Sequence, residues 1–253
     1  MNQTQDANIV QVNSLNAGYD DTLILDNISM QAKQHQVTVI LGPSGCGKTT
    51  LMKNMIRLYT PWSGSIKLFG REITTMDESE FNALLLKIGV LFQNGALLNS
   101  VTVGENIAIP LVQHTDMPEE LIHRLIRVKL KLVELTHVLY KLPSELSGGM
   151  RKRVALARAI ALDPPLLFCD EPSAGLDPVT SETLDRLILK MRDELGMTVV
   201  AVSHELTSIQ RIADSIVFMD NGKVLYYGPL KEARNAGIEQ IDNFFAKANS
   251  RIE

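Results

Sequence analysis

Two stretches of this chain combine residue types suited to handling phosphate. Gly42-Pro43-Ser44-Gly45-Cys46-Gly47-Lys48-Thr49-Thr50 spells G-x-x-x-x-G-K-[ST]. In that pattern glycines let backbone N–H groups curl round phosphate oxygens, the lysine adds a point charge and the hydroxyl can ligate Mg²⁺. LLFCDEP, residues 166–172, is an apolar run ending in two acids, Asp170 and Glu171. Asp170 suits a Mg²⁺ partner, direct or through water, and Glu171 suits a base or orienting group for an attacking water. A third stretch, ELSGGMRKRVALARA at 145–159, opens a helix on Ser147, Gly148 and Gly149 but places Arg151, Lys152 and Arg153 in its first turn. A helix N-terminus is partially positive, so three cations there call for an anion opposite, and phosphate is the natural one.

These motifs need a scaffold of strands and helices, and the pattern supplies one. VTVIL at 37–41 is continuously apolar, as a strand buried on both faces should be, and runs into the glycine loop and then the helical LMKNMIRL. Before it, IVQVNSL and TLILDNISM alternate like paired strands with a turn at Asp20 and Asp21. DESEFNALLLKI begins a helix with Asp77 and Glu80 as a capping pair, and PEELIHRLIRVKLKLVEL places Pro118 at a first helical position. Residues from about 80 to 160 therefore read as a helical insertion. LLFCD, TSETLDRLILKMRDEL, TVVAV and HELTSIQRIA then restore the strand and helix alternation of a mostly parallel sheet. Asn221-Gly222 marks a hairpin, and a C-terminal helical extension over about 229–253 gathers Ile238, Ile241, Phe244, Phe245 and Ala248 on one face. That face is expected to dock on its own domain. The fold class is α/β: a P-loop core with an N-terminal antiparallel β segment and an inserted α-helical subdomain, all in one domain spanning 1–253.

Composition narrows the function classes. A formal net charge of −4 lacks the basic footprint of a dedicated nucleic-acid binder. No apolar run approaches the roughly 18 residues of a membrane span, and the polar start MNQTQDAN has no signal-peptide core. The two cysteines, Cys46 and Cys169, form neither a disulfide framework nor a CxxC pattern and read as small buried fillers.

The P-loop and acidic strand alone do not separate kinase, GTPase and ATPase, although the guanine-reading N-K-x-D is missing from the chain. The order decides: Tyr19, the P-loop, Gln93 in LFQN, LSGGM at 146–150, LLFCDEP, SAGLD at 173–177 and His204 in VSH. Along almost the whole chain this resembles the ATP-binding cassette (ABC) family. The resemblance implies ATP and Mg²⁺ as cofactors, with Tyr19 stacking on adenine, Gln93 touching Mg²⁺ or the lytic water, and His204 holding the γ-phosphate. It further implies a homodimer in which Ser147, Gly148, Gly149 and Asp177 meet the ATP held by the other subunit, so that the cations of the signature helix find their anion in trans. Met150 stands where many members have Gln.

More narrowly, QNGALLNSVTVGENIAIPLVQHTDMPEE, ELSGGMRKRVALARAIALDP and DEPSAGLDPVT resemble the ATPases of bacterial mammalian-cell-entry (MCE) type phospholipid transporters. Leu98 stands where Phe is more usual, and the short helix after Gln93 is expected to stop at Pro110. This resemblance implies an integral membrane permease as partner, an MCE-domain protein and a small regulatory subunit in the same complex, and a place on the cytoplasmic face of the bacterial inner membrane. The alternatives are an ATPase of an amino-acid or lipoprotein system and a soluble, non-transport cassette ATPase.

Overall fold

In the computed structural model the described residues are 8–249, with side chains described to 246. The opening MNQTQDA falls outside the described residues, and the expected contact of Ala248 outside the described side chains. The described part begins with β1 (Asn8–Tyr19), β2 (Thr22–Lys33), β3 (Val37–Leu41), α1 (Lys48–Met55), β4 (Ser63–Leu68), β5 (Arg71–Glu72) and α2 (Glu78–Leu85). Then come β6 (Ile88–Leu91), α3 (Val103–His114), α4 (Glu119–Leu132), α5 (Gly148–Ala159), β7 (Leu166–Asp170), α6 (Pro178–Leu195) and β8 (Thr198–Val202). The remaining elements are α7 (Leu206–Ile212), β9 (Ser215–Asp220), β10 (Lys223–Pro229), α8 (Leu230–Ala233) and α9 (Glu239–Asn249).

Six strands form the central sheet in the order β10-β9-β3-β8-β7-β6, parallel from β9 through β6. β3, β7 and β8 are buried at every position. Alternate residues serve opposite faces: Val39, Leu167, Val199 and Ile216 pack with the helical side, and Ile40, Phe168, Val200 and Val217 with the first strands and α1. That is why these strands are apolar without alternation. A four-stranded antiparallel sheet, β2-β1-β4-β5, covers the second face, and Tyr19 pairs with Thr22 across the expected Asp20-Asp21 turn. At the other end of the chain, Asn221 and Gly222 take φ of 45° and 74°, the left-handed pair that a two-residue hairpin requires.

Three expectations change. The block from about 80 to 160 contains a strand, because β6 pairs in parallel with β7 and belongs to the central sheet; its four residues are too few to show a period against the helical signals on either side. Pro110 does not stop α3, which continues to His114 with the proline inside it. Thr102 and Glu105 form a complete capping box at the start of that helix, and buried Ile107 and Leu111 hold the turns on either side of the missing N–H. Pro118 sits one position earlier than expected, as the N-cap of α4. The expected docking of the last helix is present: Ile241 and Phe245 are buried in the domain core, and the Phe244 ring meets Phe218 edge-on at 5.4 Å.

Candidate active site

β3, β8, β7 and β6 are consecutive in the sheet and parallel, so their C-terminal ends form one edge. Lys48 follows β3, His204 follows β8, Asp170 ends β7 and Gln93 follows β6. Ligands of parallel sheets collect at this edge. A groove of about 410 Å³ lies there, lined by Tyr19, Ile24, Ser44, Gly45, Gly47, Lys48, Thr49, Thr50, Gln93, Glu171 and His204. Residues widely separated in sequence are thus brought together as expected, with Ile24 added; an aliphatic residue in a strand carries no signal that could have announced it.

The loop from Gly42 to Gly47 is shaped by its glycines. A Cβ at Gly42 would stand 2.0 Å from the Met219 carbonyl oxygen, whereas at Gly45, with φ of 82°, it would meet nothing within 4 Å. The loop is therefore crowded beneath and open above, as a phosphate cradle must be. Gly47 caps α1 with left-handed geometry and no side-chain hydrogen bond, leaving that helix end available to an anion. Lys48 is buried and its Nζ donates to the carbonyls of Gly42 and Pro43 at 2.9 and 2.8 Å. Its third donor reaches Cys46 Sγ at 4.0 Å, a weak contact that a phosphate oxygen can replace. Cys46 is buried beneath the loop, and burial pushes its thiol pKa up against the lowering effect of Lys48.

Thr49 Oγ1 donates to Asp170 Oδ1 at 3.3 Å. Burial pushes the Asp170 carboxyl above its ordinary range, a penalty that a cation alongside would relieve. Among the described residues no group of three or more His, Cys, Asp or Glu could hold a metal by itself. The Thr49 hydroxyl and the Gln93 amide line the groove, and the buried Asp170 carboxylate, which is not in the lining, backs Thr49; this set nevertheless fits Mg²⁺, which keeps waters and takes further oxygens from phosphate.

Glu171 takes a left-handed φ of 47°, unusual for a side chain of this size, and its N–H is held by the Val202 carbonyl at 2.9 Å. Its Oε2 stands 2.8 Å from His204 Nδ1, close enough for an ion pair, yet out of line for a hydrogen bond: it is a buried carboxylate oxygen with no hydrogen-bond partner. The residue itself lines the groove beside the phosphate loop. Tyr19 lies at the groove's rim with its hydroxyl 3.0 Å from Thr50 Oγ1 and its ring edge-on to Tyr59 at 5.2 Å.

Ser147, Gly148, Gly149 and Asp177 do not line this groove. Ser147 caps α5, its Oγ accepting from Met150 N at 3.3 Å, and a Cβ on Gly149 would stand 2.1 Å from Thr180 Cγ2, so α5 and α6 touch there. Asp177 caps α6, accepting from the N–H groups of Val179 and Thr180. The signature-helix cations have acceptors within the chain, although Arg153 Nε is buried without one. Arg151 donates to Leu146 O, Arg153 to Val133 O, and buried Lys152 to Glu171 O and Ala174 O. Backbone carbonyls are neutral, but as acceptors they take up these donors, a tertiary pairing that the sequence pattern does not reveal.

The sequence reading also missed how α5 grips the segment after Gln93. Arg158, four residues beyond Val154 on that helix, donates to the carbonyls of Gly95 and Ala96 at 2.9 and 2.8 Å, while fully buried Asn106 holds Leu98 through both its amide atoms.

Comparison with known proteins decides the family. The ABC transporter family matches residues 25–174, more than half of the chain. The chain belongs to the ABC transporter family. An intermembrane phospholipid transport system ATP-binding protein, MlaF of Haemophilus influenzae, is 39% identical over 221 residues, 87% of this chain and 84% of that protein. Among solved structures, the dimeric ATP-binding cassette MJ0796 bound to ADP and Pi superposes with a TM-score of 0.81 at 30% identity, covering 87% of this chain and 98% of that one. The cassette cbiO1 of Clostridium perfringens, part of the transporter complex cbiONQ, reaches a TM-score of 0.84 at 31% identity over 98% of both chains. This ABC chain is accordingly an ATP-binding, ATP-hydrolysing cassette, and the sandwich of strands and helices described above is the cassette fold. No helix among the described residues is long and apolar enough to cross a membrane.

Proposed function

We propose that this ABC chain hydrolyses ATP to power a membrane transporter that moves phospholipid between bacterial membranes, working as a homodimer on the cytoplasmic face of the inner membrane beside an integral permease. The likeness to MlaF over 87% of the chain supports the cargo class, and the groove supports the chemistry. An MCE-domain protein and a small regulatory subunit complete the proposed complex.

In this reading the P-loop N–H groups and Lys48 bind the β- and γ-phosphates, and Tyr19 stacks on adenine at the groove's rim. Thr49 and Asp170, with Gln93 alongside, hold Mg²⁺, which supplies neutralisation of phosphate charge when bound. Glu171, which lines the groove, accepts a proton from the attacking water, and His204 reaches the γ-phosphate while its Nδ1 stays against Glu171 Oε2. Ser147, Gly148, Gly149 and Asp177, which lie off the groove, meet the nucleotide of the second subunit. The short N–H-rich start of α5 is then an anion site in trans.

The test is purification of the tagged chain from detergent-solubilised membranes, followed by mass spectrometry of proteins and lipids and by ATP-dependent transfer of labelled phospholipid between vesicles. Co-purification of a permease with phospholipid, and transfer abolished by Lys48→Ala, is the expected result. A permease accompanied by an amino-acid-binding protein, with no lipid transfer, would overturn the cargo.

A further inference from the structure

Beneath the groove lies a second polar cluster that the hydrolytic roles do not use. Asp185, in the middle of α6, is completely buried. Its Oδ1 accepts from Ser208 Oγ at 2.6 Å, and its Oδ2 is paired with the Arg211 guanidinium. Ser208 Oγ in turn accepts from Ser173 Oγ at 3.2 Å. Ser173 and Ser208 are buried almost as completely as Asp185. A buried carboxylate is expensive unless fully paired, and burial here pushes the Asp185 carboxyl up while its hydroxyl and guanidinium partners pull it back.

The positions of those partners carry the argument. Ser173 follows Glu171 by two residues, in a tight turn closed by Ala174 N–H to Glu171 O at 3.2 Å. Ser208 lies in the first turn of α7, the helix entered directly from His204 and Glu205. Glu171 and His204 sit on separate strand-to-helix connections, after β7 and β8, and their 2.8 Å approach depends on those connections keeping register. Ser208 Oγ joins the two connections, accepting from Ser173 and donating to Asp185, and Asp185 fixes that junction from α6 while taking a second hold on α7 through Arg211.

We propose that Asp185 is a positioning residue for hydrolysis: its buried carboxylate clamps the turn after Glu171 to the helix after His204 and so sets the spacing of those two side chains. The proposal rests on the reading of Glu171 and His204 as hydrolytic residues. A shift on the order of 1 Å in a reacting group placed from a distance can cost up to about 10²-fold in rate, which sets the scale.

The experiment compares Asp185→Asn, His204→Ala and the double variant in the full chain, measuring kcat and KM for ATP, affinity for a fluorescent ATP analogue and melting temperature. Asn preserves shape and the acceptor for Ser208 but removes the charge that holds Arg211. The expected result is a kcat lowered about tenfold in Asp185→Asn with ATP affinity changed less than about twofold, and an added loss below about twofold when His204 is already Ala, because coupled residues are sub-additive. An equal fold-loss in both backgrounds, a loss of ATP affinity instead of kcat, or an unchanged kcat would each overturn it. Should Asp185→Asn not fold, Ser208→Ala decides by the same sub-additivity, with Ser208→Thr restoring the hydroxyl and the rate. Glu171→Gln separates the two levels of argument: if that variant retains full turnover, the hydrolytic reading itself fails; if it is inactive while Asp185→Asn is normal, only the positioning inference fails.

Discussion

The edge of the central sheet and the start of α5 both present glycines and a helix N-terminus suited to phosphate, yet they differ in completeness. At the sheet edge, the P-loop with Thr49, and Glu171 with His204, converge on one groove, with Asp170 bonded behind Thr49. At α5, Ser147, Gly148 and Gly149 stand apart from that groove, packed against the turn of α6 that Asp177 caps. The first gathers the proposed parts of a reaction centre on one groove, whereas the second offers a capped helix N-terminus away from it, which the proposed function assigns to the nucleotide of another copy. The difference teaches that two motifs of phosphate-binding type in one chain need not share one groove.

The largest effect expected from breaking the comparison lies at the sheet edge. Glu171→Gln should lower turnover by at least about 10²-fold, as for loss of a general base, while leaving ATP binding intact. Lys48→Ala should instead weaken ATP binding itself, since the lysine meets phosphate in the ground state as well as the transition state. Steady-state kinetics with a direct binding measurement distinguishes the two, and equal effects on kcat and affinity for both variants would erase the assigned division of labour.

At α5 the expected effects on the isolated chain are those of packing rather than chemistry. Gly149→Ala drives a methyl group into Thr180, at 2.1 Å in the present packing, and overpacking of this kind costs about 1–3 kcal/mol. Denaturant unfolding measures it, and an unchanged midpoint would mean that α5 and α6 separate easily. Asp177→Ala is expected to be smaller, a modest fall in melting temperature from loss of the α6 cap. The Thr180 hydroxyl and backbone N–H hold the Asp177 carboxyl below its ordinary range. A depressed carboxylate pKa stabilises the folded state above the unfolded value and ceases to do so as pH falls through the folded one. The difference between wild type and Asp177→Ala should therefore be full near neutrality and vanish in acid; a difference independent of pH would rule out the carboxylate as its source.

The sheet edge was largely legible in the sequence because its parts are local. A buried strand that ends in Gly42 or in Asp170-Glu171 announces both its structure and its chemistry within ten residues. β6 was hidden, since four residues between helical patterns show no period of their own, and Pro110 misled because a capping box and buried neighbours outweigh one missing hydrogen bond. The intrachain partners of the α5 cations were hidden for a different reason. Lys152 is bonded to Glu171 O and Ala174 O across the fold, a pairing that depends on tertiary placement and leaves no trace at the spacing of a motif. The Asp185 cluster is invisible for the same reason: an aspartate in the middle of an amphipathic helix reads as solvent-facing until α7 is packed over it.

The central claim, that the groove is completed by the α5 start of another copy, is tested most directly by mixing two inactive variants, Lys48→Ala and Ser147→Arg. Each homodimer carries its defect in both composite sites, whereas a mixed dimer has one site with both defects and one with an intact P-loop facing an intact Ser147. The account predicts ATP turnover in the mixture above that of either parent, with ATP-dependent mixed dimers verified by crosslinking between differently tagged chains. Mixed dimers that form with ATP and show no more turnover than the parents would contradict it.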